Sequence, residues 1–380
     1  MKDLNTTLVD WENLKSDLPY KSTPYSKKNW GSALHSICSY QGKLKPSIAY
    51  HLVKTFSKEG DVILDPFSGS GTIALEASLN ARKSISFDIS KLSFILTKAK
   101  TNYSDLNKIY KVVEDLETFI KTSKIDSKYI KKASEFGFNG KVSNYYHKKT
   151  FNEILLARKY FINEKFDDPE KAFVMSCLLH ILHGNRPYAL SRNSHPLTPY
   201  APTGETIYKN LVEKLVQKIE RTYKDSFPET FVSGQAFMQD VTKKFPKGLA
   251  KVDTVITSPP FFSSTKFYMT NWLRFWFVGW EKEDFEIESV KFLEKKQLVS
   301  LNVYIDILNN LHQAIKEGGF VVMHLGKNKK LDMMLELSKI IPNNFKILDQ
   351  FTEDVSDSNL HGIKDKGSTA EHQYLILQKK

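Results

Sequence analysis

The residues best suited to chemistry lie in two short runs. The first, Thr257-Ser258-Pro259-Pro260-Phe261-Phe262, follows Thr254-Val255-Ile256, whose apolar character predicts a strand. Prolines fix φ and supply no amide donor, so the carbonyls around them point in set directions. The Ser258 hydroxyl and the Pro259 carbonyl could both accept hydrogen bonds from one exocyclic amino group, with Phe261 stacked on the base that carries it. On cytosine, two such acceptors would draw N4 toward a tetrahedral form and free a lone pair otherwise delocalised into the ring. Taken alone, the run also reads as a proline-rich strand end with no chemistry. The second run is Asp65-Pro66-Phe67-Ser68-Gly69-Ser70-Gly71-Thr72. A strand delivers Asp65, Gly69 and Gly71 let a ligand approach the backbone, and a helix begins at Thr72. Gly69 to Ala74 also satisfies a loose dinucleotide fingerprint. Against that, a carboxylate and a ring precede the glycines, where a pyrophosphate wants bare amides. Asp88, at the end of the next strand, suits ribose hydroxyls under either reading.

These runs need a frame. Ile48, Leu52, Val53 and Phe56 recur at helical spacing after Pro46, with Gly60 as the stop. Asp61 to Asp65 predicts a buried strand, Thr72 to Asn80 a helix, and Ser84 to Asp88 a second strand. That βαβ order points to a parallel α/β sheet. From 101 to 230 the chain reads as helices (Leu116 to Ile120, Phe151 to Phe161, Ala172 to Leu182, Ile207 to Tyr223). Their longest connection, Gly184 to Thr206, holds four prolines. The α/β pattern returns near Phe231. Leu311 to Glu317 predicts a helix, Gly318-Gly319 a turn, Phe320 to His324 a strand, and Tyr374 to Leu377 the last strand. Residues 1–30 read as an arm laid on the domain. The division is therefore 1–100, a helical insertion at 101–230, and 231–380.

With 380 residues, 41% hydrophobic and 26% charged, the chain is neither disordered nor fibrous. Its net charge of +12 favours a polyanionic partner, with a lysine-rich genome as the bland alternative. Two cysteines exclude a disulfide framework and a cysteine-based zinc site, and fit a reducing compartment. The first residues lack a signal-peptide core. The most apolar stretch, Ala172 to Leu182, is too short for a bilayer and carries His180. His180, His183 and His195 lack the companions of a zinc site, so no metal is expected. Arg186 and Arg192, with Asn193 and His195 in the proline-rich loop, are candidates for reading bases, or parts of a structural loop. Trp272, Trp276 and Trp280 repeat as a buried helix face, with a wall of the base pocket as the alternative. Ser263 to Lys266 has lid-like composition.

Taken together, the two runs resemble the S-adenosylmethionine-dependent DNA amino-methyltransferases. Asp65 to Thr72 is similar to that family's cofactor loop, and Ser258-Pro259-Pro260-Phe261 to its catalytic motif. Ser39 to Pro46 looks like the segment covering the methionine end of the cofactor, and Gly234 to Asp240 like the one contacting adenine. The resemblance implies a Rossmann-like α/β fold, a seven-stranded mixed sheet between helix layers with the last strand antiparallel. It implies S-adenosylmethionine held by Tyr40, Lys43, Pro46, Asp65, Pro66, Phe67, Gly69, Gly71, Thr72, Asp88 and Asp240. It implies catalysis at Ser258, Pro259, Pro260 and Phe261 on a base flipped from double-stranded DNA. Members with Ser at the first catalytic position mostly make N4-methylcytosine. Adenine-N6 methylation, an RNA substrate and a catalytically silent DNA-binding subunit stay open. The expected setting is a bacterial or archaeal cytoplasm, away from membranes. A separately acting restriction endonuclease is a conceivable companion, and the oligomeric state is unspecified.

Overall fold

The computed structural model describes residues 1–27, 30–193, 198–224, 227–263, 266–354 and 369–380. Seven strands form one sheet: β1 (Val62–Asp65), β2 (Lys83–Asp88), β3 (Gln235–Met238), β4 (Val252–Thr257), β5 (Ile315–Asn328), β6 (Phe345–Asp354) and β7 (Thr369–Lys379). Their order is β3-β2-β1-β4-β5-β7-β6. β1 pairs in parallel with both β2 and β4, and β4 with β5. Only β7 runs against its neighbours. The expected seven-stranded mixed sheet is present, with its last strand antiparallel.

Side-chain alternation along the strands builds two cores. Ile63, Ile256 and Val322 face α1 (Leu4–Asp17), α2 (Pro46–Phe56) and α3 (Thr72–Leu79). Their neighbours Leu64, Val255 and Val321 face the opposite layer, which is built after β4. β4 is buried at every position, as a strand covered on both faces must be. The arm is largely helical. Trp11 of α1 is buried against Phe56, Phe351 and Tyr374.

The chain then continues through α4 (Lys91–Thr101), α5 (Leu106–Thr122), α6 (Ser127–Glu135), α7 (Lys148–Phe161), α8 (Pro169–Ile181) and α9 (Leu211–Tyr223). Side chains of Asp105, Asp126 and Asn210 cap α5, α6 and α9, fixing starts that periodicity alone misplaces. After β4 come α10 (Phe267–Thr270), α11 (Trp272–Phe277), α12 (Asp284–Ile287), α13 (Leu293–Val299), α14 (Val303–Ala314) and α15 (Met333–Ser338). Tyr304, Leu308 and Leu311 of α14 and Leu337 of α15 cover the second sheet face.

The insertion does not stand apart. Leu155, Phe173 and Leu178 share one core with Leu92, Ile95 and Leu96 of α4 and with Trp272, Trp276 and Phe285. Trp272 and Trp276 are thus a buried face of α11, while Trp280 lies beyond the helix end and is half-buried. Two glycine expectations change. α2 ends at Phe56, and Gly60 (φ +81°) instead sits in the turn into β1, its amide bonded to the Ala81 carbonyl. Gly318-Gly319 is no turn: β5 begins at Ile315 and runs through both, with the register to β4 shifting there. Strand β6 carries few buried side chains, so its sequence gives no apolar alternation to read. No helix among the described residues is long and apolar enough to cross a membrane.

Candidate active site

Parallel neighbours β1 and β4 end side by side, and each delivers one of the two runs. The joint between them is a hydrogen bond: Thr257 Oγ1 donates to Asp65 Oδ1 at 2.8 Å, with both residues buried. The Phe67 amide donates to the same oxygen at 3.2 Å. Burial raises the Asp65 carboxyl to about 7.

The glycine loop is held from several sides. Ser68 N bonds the Phe87 carbonyl, and Gly71 N the Ser68 carbonyl. Gly69 N donates to Asp88 Oδ2 and Ser90 N to Asp88 Oδ1, both at 2.9 Å. The Lys100 ammonium, buried on α4, donates to the Ser70 carbonyl at 2.5 Å and is pulled down to about 7 by burial. Burial lifts Asp88 to about 6. Gly71 (φ +73°) is the left-handed cap of α3. A Cβ there would meet Thr97 of α4 at 2.9 Å, so the glycine serves helix packing and backbone conformation rather than clearance for a ligand. Thr72 opens α3, its hydroxyl 3.1 Å from Ser70 Oγ.

Above the loop lies Tyr40. Its ring packs on Phe267 at 4.5 Å between centroids, and its hydroxyl approaches Ser93 Oγ at 3.3 Å. A Cβ on Gly69 would sit 3.2 Å from that hydroxyl. Pro46 is the first residue of α2. Lys43 turns back onto the His35 carbonyl at 2.9 Å. Asp240 accepts from Lys296 at 2.9 Å and from the hydroxyl and amide of Thr242. Despite the opposing effect of burial, these contacts hold its carboxyl below the ordinary range.

At the other run, Ser258 Oγ lies 3.0 Å from His324 Nδ1 on β5. The Pro260 carbonyl accepts from Gln297 Nε2 at 3.0 Å, and Tyr304 donates to Gln297 Oε1 at 3.0 Å. The half-buried ring of Phe261 lies over Gly326, where a Cβ would come within 2.4 Å of it. Short α13 brackets the whole cleft. Lys296 reaches Asp240, Gln297 reaches Pro260, and Glu294 accepts from the Phe267 amide at 3.2 Å. Burial raises Glu294 to about 7, and its Oε1 is buried with no partner among the described residues.

Sequence reasoning missed His324, Gln297, Glu294 and Lys100. Nothing in their local sequence marks them; the sheet order brings His324 there, α13 brings Glu294 and Gln297, and α4 brings Lys100.

The proposed DNA-contact loop divides. Arg192 donates to the Gly204 carbonyl at 2.8 Å, and the Asn193 carbonyl accepts from the Thr203 amide, so both brace the loop itself. Arg186 is exposed. Nearby, Lys218 and Arg221 lie over the Tyr188 ring at 5.8 and 5.6 Å. Arg82, Arg158 and Arg274 are buried on Ser57, Trp276 and Leu179 carbonyls. His195, and Ser264 and Thr265 of the lid-like stretch, fall outside the described residues.

Residues 16–99 match a family described as DNA methylase. The type II methyltransferase M.MjaII of Methanocaldococcus jannaschii is 32% identical over 108 residues, 28% of this chain and 19% of that protein. M.BsoBI of Geobacillus stearothermophilus is 26% identical over 160 residues, 40% and 29% of the two chains. M.MvaI of Kocuria varians is 23% identical over 282 residues, 69% of this chain and 60% of its own. The matches thus span between 19% and 60% of the relatives' own lengths.

S-adenosylmethionine fits the residues present. Left-handed Gly69 lies between Tyr40 and Asp88, Asp88 and Asp65 offer acceptors, and Glu294 Oε1 lacks a partner among the described residues. The family match falls on the segment that builds this loop, and the sheet sets the Ser258 run beside it.

Proposed function

We propose that this chain methylates the exocyclic N4 of cytosine in a base flipped from double-stranded DNA, as the modification partner of a restriction system. The observation that carries the reading is the Thr257–Asp65 bond, which locks the acceptor run beside the cofactor loop. When bound, S-adenosylmethionine supplies an electrophilic methyl group on a sulfonium. Ser258 and the Pro259 carbonyl hold the amine so that its lone pair faces that methyl. Phe261 stacks on the flipped ring. The names of the relatives support a type II modification role, and the +12 charge supports the nucleic acid. Arg186 and Arg221 are the proposed phosphate contacts, since both are exposed cations and Arg221 lies over the half-buried Tyr188 ring. The helical insertion is the proposed reader of the target sequence.

The test is incubation with plasmid DNA and labelled cofactor, then mass spectrometry of the digested nucleosides. N4-methylcytosine is expected. N6-methyladenine alone would move the target base while keeping fold and cofactor. Label that stays absent from DNA but enters RNA supplied in a parallel incubation would overturn the substrate.

A further inference from the structure

Methylating an amine creates a proton that must leave. N4 forms a bond to the methyl carbon, the carbon–sulfur pair stays on sulfur, and the nitrogen then carries a positive charge and one hydrogen too many. The structure places a base one atom behind the acceptor run. His324 Nδ1 sits 3.0 Å from Ser258 Oγ, and the ring is 2% exposed. Strand geometry fixes it there: His324 stands on β5 opposite Tyr374 of β7. Phe261, Tyr374 and His372 pack on the ring at centroid distances of 5.5, 5.2 and 4.7 Å. His324 Nε2 is buried and has no hydrogen-bond partner among the described residues. The imidazole is neutral, since burial and the neighbouring His372 push its pKa well below the ordinary value.

A neutral ring carries one N–H, and the two tautomers do different work. With hydrogen on Nε2, Nδ1 accepts the Ser258 proton and leaves the serine oxygen as an acceptor toward the cleft. The Nε2–H then points among the rings, the His372 ring standing nearly perpendicular at 77°. With hydrogen on Nδ1, His324 would donate to Ser258 and could take no proton from it.

Resting on the functional reading above, we propose that His324 is the proton acceptor of the methyl transfer, acting through Ser258. As N4 is methylated, its surplus proton passes to Ser258 Oγ while the hydroxyl proton passes to His324 Nδ1. Once the methylated base leaves, Nδ1 returns its proton to Ser258 Oγ as the hydroxyl proton passes to solvent in the cleft, which restores the starting tautomer. A weakly basic imidazole suffices, because a methylated N4 on an electron-poor ring is a strong acid. A ring reluctant to hold charge also releases it quickly. Acting through Ser258, His324 is a positioning residue if it only aims the hydroxyl, and a relay if it takes the proton. The experiment separates these.

His324→Asn keeps an acceptor oxygen near the place of Nδ1 but removes the base. Single-turnover methylation should fall about 10²-fold, the lower range for general-base loss, with affinity for cofactor and DNA unchanged. Ser258→Ala with His324→Asn should be no slower than Ser258→Ala alone, because the two act as a unit. Nitrogen-15 NMR of the wild-type protein should show His324 neutral with hydrogen on Nε2. Wild-type rate in His324→Asn, additive losses in the double variant, or an Nδ1–H tautomer would each overturn the relay. The tautomer decides even if the variant does not fold. A wild-type protein that methylates no DNA removes the functional reading and this inference with it. An active wild type with an indifferent His324 removes the inference alone.

Discussion

Asp88 has a structural task, and its variants should show whether it also serves the cofactor. Its carboxylate already holds the Gly69 and Ser90 amides, so its contact with ribose hydroxyls would come on top of a structural task. Asp88→Ala should weaken S-adenosylmethionine by roughly 1.5–3 kcal/mol, the range for a hydrogen bond to a charged group. Calorimetric titration of the folded variant reads this, and unchanged affinity would remove Asp88 from the cofactor site. Asp88, Asp65 and Glu294, raised by burial to about 6, 7 and 7, are partly protonated in the free protein near neutrality. A cationic ligand with hydroxyl donors prefers the ionised forms, so its affinity should rise from pH 5 to 8 and level off above. The same titration repeated across pH checks the sign. Ser258→Ala should slow transfer by ~10²–10³-fold while cofactor affinity holds, as removal of one positioned polar contact does.

At the scale of elements, α13 has the least conspicuous sequence and the widest reach. Seven residues carry contacts to Asp240, Pro260 and the Phe267 amide, segments far apart along the chain. Gln297→Leu would leave the Pro260 carbonyl and the Tyr304 hydroxyl without partners, a loss of about 1–3 kcal/mol in stability. Thermal unfolding should show that loss, and methyl transfer should fall further than cofactor binding. Gly326→Ala should push Phe261 off its seat and weaken capture of the base without touching the cofactor. Much of the frame was legible. The glycine loop, Asp88 and the Ser258 run advertise themselves by composition, and apolar runs betray β1, β2 and β4. The rest depends on pairing between distant segments. The β5 bulge at Gly318-Gly319 looks like a turn until β4 lies beside it. His324 looks like the end of a strand until Ser258 arrives opposite. Gly71 looks like room for a ligand until Thr97 occupies its far side.

For the whole molecule, the excess positive charge should appear as salt sensitivity. If several phosphates are contacted, log affinity for DNA should fall linearly with log salt, by about 0.9 per contact. A flat response would mean that the charge has no binding surface. The proline-rich loop should divide under mutation. Arg192→Ala should loosen the loop, because its guanidinium holds the Gly204 carbonyl. Arg186→Ala should act on DNA alone. Sequencing of methylated sites against melting curves distinguishes the two.

The glycine loop is fastened before any ligand arrives. Ser68, Gly69 and Gly71 have their amides bonded to Phe87, Asp88 and Ser68, and Lys100 grips the Ser70 carbonyl from beneath. Its amide hydrogens should therefore exchange with deuterium slowly in the free protein, and scarcely more slowly once cofactor is added. A cradle already set asks for little ordering on association, so the cofactor's entry should be fast and carry a small entropic penalty.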